Sequence, residues 1–220
     1  MGTALPWLQA ALRDPHKYLI REEALQEEPP TWGIVTDASP RGLGGILIQR
    51  TKQEWIMVEA YEAVVKQETA DKLGVEWNQP SSQSTMEALA VLRGLQRWAT
   101  RLNPGTVVIR SDSSVALAMA KKLASPTMSL NYLAAEIALT LESFRCPGLT
   151  LQHIPGSLNK EADWLSRHHE RDTMPSKLKG VKLRRIAAWD PKAMFCTPPG
   201  AAESAWATGV PQSAGVYECL

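Results

Sequence analysis

Three short β-forming segments follow one another between residues 31 and 60, and from residue 84 onward helical and strand patterns alternate. That order constrains the fold more than any other feature, because a block of strands followed by alternation calls for a mixed sheet with helices packed on it. The first segment, TWGIVTD (31–37), is rich in β-branched and aromatic residues. The turn-forming SPRGLGG follows, then Ile46–Arg50 and EWIMVEA (54–60), which makes an antiparallel meander. Residues 61–82 are polar and uneven, and are expected to form an insertion or loop. In Ser84–Leu102 the residues Ala88, Leu92, Leu95, Ala99 and Leu102 recur at spacings of three and four, the stripe of an amphipathic helix, with Glu87 at its shoulder. TVVIRS (106–111) is an apolar run suited to a strand buried on both faces. Helices are expected from Asp112 through Leu123 and over about 130–144, then a strand over 149–154 and a helix over 159–168. The expected order is β-β-β-α-β-α-α-β-α, or β-β-β-α-β-α-β-α with the middle helical pair counted once.

Outside residues 31–170 the pattern weakens. Residues 1–30 end in an acidic run and Pro29-Pro30, and are expected to be a lead-in left from an upstream connection. Residues 171–220 are rich in Pro, Ala and Gly, and are expected to be a basic tail containing disordered chain. Within them KLKGVKLRR (177–185) packs five basic residues into nine, and such a cluster either grips phosphates or is simply solvated. Net charge is only +1, so any nucleic-acid surface must be a local patch. Cys146, Cys196 and Cys219 form no metal-ligand spacing and suit a reducing compartment. No stretch approaches the roughly 18 apolar residues of a membrane helix. The expected setting is intracellular, cytoplasmic or nuclear, with no membrane partner.

Asp37 and Asp112 each follow a hydrophobic strand and are themselves followed by small residues. If those strands are parallel neighbours, both carboxylates emerge at the same edge of the sheet, where open α/β sheets place their sites. Either residue alone has an ordinary alternative: Asp37 an Asx turn, Asp112 a helix cap. Glu87 in the first turn of a helix and Asp163 in a late one are likewise unremarkable singly. Four converging carboxylates, however, repel and raise each other's pKa values unless a divalent cation relieves them. All-oxygen ligation favours magnesium or manganese over zinc.

Thr36-Asp37-Ala38-Ser39 with Gly42-Leu43-Gly44-Gly45, Glu87-Ala88-Leu89-Ala90, Ser111-Asp112-Ser113 and HIPGSLNKEADWLSR (153–167) fall in the order of the ribonuclease H family. The last segment resembles the HxPGxxNxxADxLSR signature of gypsy-like and DIRS-like retroelement reverse transcriptases, and Val115–Glu142 looks like their helical pair. The resemblance covers about residues 31–170. It implies a ribonuclease H-like fold with a five-stranded mixed sheet, and hydrolysis of the RNA strand of an RNA–DNA hybrid. It further implies that Asp37, Glu87, Asp112 and Asp163 bind two magnesium or manganese ions about 4 Å apart, with Asp37 bridging. Ser39, Gly42, Gly44, Gly45, Ser113 and Asn159 would contact substrate, with Ser39 and the glycine-rich 42–45 near the minor groove where 2′-hydroxyls mark RNA. His153, ten residues before Asp163, is a further candidate, although it precedes the Pro-Gly and is expected on the final strand.

No Tyr/Phe-x-Asp-Asp polymerase motif occurs, so the chain is expected to be a piece of a larger enzyme, a truncated copy or a separate gene, with a polymerase domain as a partner. One rival reading is a catalytically silent module of the same fold that binds hybrid or a protein, whose mark would be a missing carboxylate. DEDD exonucleases and DDE transposases need a different acidic pattern. A decayed structural remnant stays open.

Overall fold

The computed structural model describes residues 30–52, 54–102, 105–144, 146, 148–167 and 173–196. Strand β1 (Trp32–Ser39) turns through Pro40-Arg41 into β2 (Gly42–Arg50), with Ser39 opposite Gly42 and Asp37 opposite Gly44. β3 (Trp55–Val64) completes the antiparallel meander, with a bulge at Leu47/Ile48. β4 (Val107–Ser111) lies parallel to β1 and β5 (Leu149–His153) parallel to β4. A sixth strand, β6 (Lys182–Ala187), pairs parallel with β3, giving the order β5-β4-β1-β2-β3-β6. This is the mixed α/β sheet expected from the sequence, with six strands rather than five.

The helices are α1 (Gln67–Leu73), α2 (Gln83–Leu102), α3 (Ser114–Lys122), α4 (Met128–Ser143) and α5 (Lys160–Ser166). Side chains alternate across β2, so Leu43 and Leu47 enter the larger core while Ile46 and Ile48 enter a smaller one. The larger core packs α2 and α4 on the sheet through Ile34, Leu92, Leu95, Trp98, Leu133 and Ile137. Each such fully buried side chain contributes about 1.5–3 kcal/mol. The smaller core seats α5 through Ala162 and Leu165. Among the described residues no helix is long and apolar enough to cross a membrane.

Two expectations need correction. Residues 61–82 are not a loop: β3 runs to Val64, α1 follows, and a 3-10 turn at Pro80–Ser82 leads into α2. Their buried anchors, Ala63, Val65, Ala70 and Leu73, are spread among polar residues and switch from strand to helix period midway, so no single periodicity shows. The expected tail over 171–220 also changes where residues are described, since Leu178 joins the smaller core and β6 joins the sheet. An edge strand is held by backbone hydrogen bonds, so the exposed Lys182-Leu183-Arg184-Arg185 carries no apolar alternation. The chain then returns to α4, where the buried Glu136 carboxylate accepts from Phe195 N (3.0 Å) and Cys196 N (2.7 Å), and Trp189 stacks on Tyr132. The lead-in at 1–29 and the remainder of the tail lie outside the described residues.

Gly44 and Gly45 are packing positions. A Cβ on Gly44 would lie 2.3 Å from the Ala162 carbonyl oxygen, and one on Gly45 would lie 2.2 Å from the Tyr61 ring. Gly44→Ala is therefore expected to push α5 off β2, costing about 1–3 kcal/mol or more. Urea denaturation of the variant beside the wild type measures this, and an unchanged midpoint would contradict the packing.

Candidate metal centre

The parallel pairing of β1 with β4 sets Val35 beside Arg110. Continued by two residues, that register brings Asp37, still within β1, level with Asp112, just past β4. α2 crosses the same end of the sheet and presents Glu87 from its second turn. One carboxylate oxygen from each of Asp37, Glu87 and Asp112 lies within 4.8 Å of the others. Asp37 and Glu87 are buried and Asp112 is half-buried, so the cluster opens to solvent through Asp112.

Neutral polar groups brace the three acids. Asn159 Nδ2 reaches Thr36 O (3.0 Å), Asp112 Oδ1 (3.2 Å) and Asp37 Oδ1 (3.4 Å), tying β1 and β4 to the start of α5. Ser166 Oγ donates to Asp37 Oδ2 at 2.5 Å, and Ser39 Oγ in turn donates to the Ser166 carbonyl at 2.9 Å. Gln83 Nε2 donates to Glu87 Oε1 (2.8 Å) and to Ala38 O (2.6 Å). Among the described residues, two buried acceptors, Glu87 Oε2 and Asn159 Oδ1, have no hydrogen-bond partner. Buried polar groups are normally satisfied, so these two oxygens fit a site completed by a cation and its water.

Electrostatics agree. Burial pushes the Asp37 carboxyl up to about 7; the Ser166 hydrogen bond opposes this, while the charges of Asp112 and Asp163 add to it. Burial, then the charge of Asp37, pushes Glu87 up to about 8. Three acids this close cannot all ionise cheaply without a positive charge among them. Oxygen donors of this kind suit magnesium or manganese.

Asp163 stands apart from the other three acids. Its side chain is 42% exposed and accepts from Arg167 Nε at 2.6 Å, one helical turn on. It is near enough for its charge to act on Asp37 but is not part of the three-carboxylate cluster. His153 ends β5 as expected, its Nε2 3.1 Å from the Asp112 carbonyl oxygen. Of the six substrate candidates, Asn159 sits among the carboxylates. Ser113 caps α3 by accepting from Ala116 N, which leaves the Asp112 side chain free of capping. Ser39, Gly42, Gly44 and Gly45 are buried against protein. Gln83 and Ser166 were not singled out by the sequence. Gln83 lies four residues before Glu87 and so shares its helix face, a usable signal; Ser166 is a fixed position of the HxPGxxNxxADxLSR signature, but its contact with Asp37 is set by tertiary packing.

No protein-family profile and no curated protein sequence matches this chain. Among solved structures it is similar to ribonuclease H1 from the halophilic archaeon Halobacterium salinarum NRC-1, at 15% identity over 61% of this chain and 92% of that one, TM-score 0.48. LC11-RNase H1 in complex with RNA/DNA hybrid is similar at 21% identity over 61% and 92%, TM-score 0.47. The Prototype Foamy Virus protease-reverse transcriptase is similar at 15% identity over 67% of this chain and 21% of that one, TM-score 0.37. At these levels the fold rests on the strand order and pairings above, a mixed α/β sheet in which the antiparallel β1-β2-β3 meander continues into parallel β4 and β5.

Proposed function

We propose that this chain is a metal-dependent endonuclease that hydrolyses the RNA strand of RNA–DNA hybrids, as the ribonuclease H domain of a gypsy-like or DIRS-like reverse transcriptase. The observation that carries the reading is the meeting of Asp37, Glu87 and Asp112 within 4.8 Å at one end of the sheet. The retroelement assignment rests on HIPGSLNKEADWLSR, whose Asn159 and Ser166 contact those carboxylates.

Asp37, Glu87 and Asp112 would hold one magnesium or manganese ion, and Asp163, released from Arg167, would serve a second beside Asp37. Such ions lower the pKa of water and offset charge on a phosphodiester. The chain's own residues prepare the site. Asn159 fixes the spacing of the two aspartates, Ser166 fixes one Asp37 oxygen, and Gln83 holds Glu87 against β1. His153, whose Nε2 lies 3.1 Å from the Asp112 carbonyl oxygen, would be a further catalytic candidate. A polymerase domain as partner and an intracellular location, cytoplasmic or nuclear, belong to the same proposal. The silent-module reading draws on one observation, the turning of Asp163 toward Arg167.

Incubating the purified chain with a hybrid labelled separately on each strand, with magnesium or manganese, tests the reading. Cutting of the RNA strand alone, stopped by EDTA, is the expected result. A folded chain that binds hybrid without cutting it would establish the silent module instead.

A further inference from the structure

The basic stretch at 177–185 is left unexplained by the carboxylate site. In the fold, Arg184 and Arg185 of β6 meet Arg93, Gln96 and Arg97 of α2 across an open groove of about 410 Å³. Two buried glutamates of β3 organise its walls. Glu59 receives Arg97 Nη2 at 2.7 Å and Arg101 Nη2 at 3.2 Å, and Glu62 receives Arg185 Nε at 2.6 Å. Arg93 has no such partner. It is 6% exposed, its Nη1 donates to Gln96 Oε1 at 2.6 Å, and its buried Nε has no acceptor among the described residues. Among the described residues neither Arg93 nor Arg184 has a carboxylate within 4.0 Å. Asp190 also lines the groove and acts on Arg93 from beyond that distance.

A buried charge is costly unless paired. Basic side chains on an edge strand commonly serve to prevent strand pairing with other molecules. That accounts for Arg184 and Arg185, but not for a guanidinium that α2 buries beside them. The geometry points to a second, anion-binding site in this groove that takes a phosphate group, received by Arg93 and Arg184 and bordered by the pre-oriented Arg97 and Arg185. The planar guanidinium fork matches phosphate oxygens in pairs. Arg93 and Arg97 follow Glu87 by six and ten residues on α2, roughly 9 and 15 Å along the axis at 1.5 Å per residue. The groove is therefore separate from the carboxylate cluster, and its existence does not depend on the nuclease reading.

The test titrates the full chain in EDTA, where no hybrid can be cut, with inorganic phosphate and separately with a labelled ten-nucleotide single strand. Both are followed by NMR or calorimetry. Arg184→Ala, at an exposed position, is expected to fold and to weaken phosphate binding at least fivefold; Arg93→Gln is expected to abolish it. If the phosphate belongs to a nucleic-acid backbone, the same variants also weaken the oligonucleotide. The slope of log affinity against log salt then falls by roughly 0.7 for each phosphate that is no longer neutralised. Loss of phosphate binding with unchanged oligonucleotide affinity assigns a free phosphate group. No phosphate binding by the folded wild type, or equal binding by wild type and Arg184→Ala, overturns the site.

Discussion

Asp112→Asn is expected to lose at least about a thousandfold in RNA-strand cleavage while its melting temperature holds or rises. A thousandfold corresponds to about 4 kcal/mol of transition-state stabilisation, within the several kcal/mol a correctly placed divalent ion supplies. The substitution keeps the side chain's shape, and its amide oxygen can still accept from Asn159 Nδ2, as Asp112 Oδ1 does at 3.2 Å. What disappears is one negative charge that disfavours ionisation of both Asp37 and Glu87. Activity and stability therefore move in opposite directions, which a residue of merely structural importance would not produce. Asp163→Asn separates the two readings of the site. If Asp163 leaves Arg167 to serve a second ion, the variant loses cleavage comparably; if it only pairs with Arg167 on the surface, cleavage stays within about twofold, since exposed pairs contribute about 0–1 kcal/mol. Rates measured by gel on strand-labelled hybrid, with melting curves on the same preparations, decide both.

How legible this site was in the sequence depends on what each residue rests on. Asp37 and Asp112 were legible because hydrophobic runs identify β1 and β4, and a parallel pairing of two such strands brings their ends level. Glu87 was legible because helical periodicity places it beside the buried stripe of α2. Ser166 is marked only as a letter of the HxPGxxNxxADxLSR signature, with no sign of its role: its hydroxyl reaches Asp37 because α5 packs against β2 closely enough to need glycine at position 44. The same closeness holds at Gly44 and Gly45, which the resemblance implies as substrate contacts and against which α5 and the Tyr61 ring pack. Nothing local in SPRGLGG reveals that α5 and the Tyr61 ring fill the space beside these glycines. β6 and α1 were missed for a complementary reason. β6 depends on backbone pairing with β3, and α1 buries only Thr69, Ala70 and Leu73 among polar residues. The basic run at 177–185 was visible, yet its meeting with Arg93 could not be read, since the two are far apart in sequence and joined only by the sheet edge.

The metal-free protein is expected to lose stability as pH rises from about 5 to 8, and magnesium or manganese is expected to reverse that loss. In the unfolded chain Asp37 and Glu87 ionise near 3.8 and 4.5, whereas in the fold they hold their protons to about 7 and about 8. Between those limits the native state binds more protons than the unfolded state, so stability declines with rising pH. The contribution is fully present below pH 4 and is lost as pH passes through 7 to 8. A cation reverses the trend because it binds the ionised carboxylates and competes with their protons, so its affinity climbs over the same interval. At a concentration a hundred times its dissociation constant it adds about 2.7 kcal/mol. For a chain of this size that is roughly 5–10 °C in Tm. Ser166→Ala sharpens the test: it removes the hydrogen bond that lowers the Asp37 pKa, so the pH at which metal begins to stabilise shifts upward. Asp37→Asn, by contrast, flattens the metal-free pH dependence and removes most of the metal response. Melting curves across pH 5–8 in EDTA and in each metal give all three comparisons. A wild-type Tm that ignores both pH and metal would mean that the three acids are not an ion site, whatever their spacing.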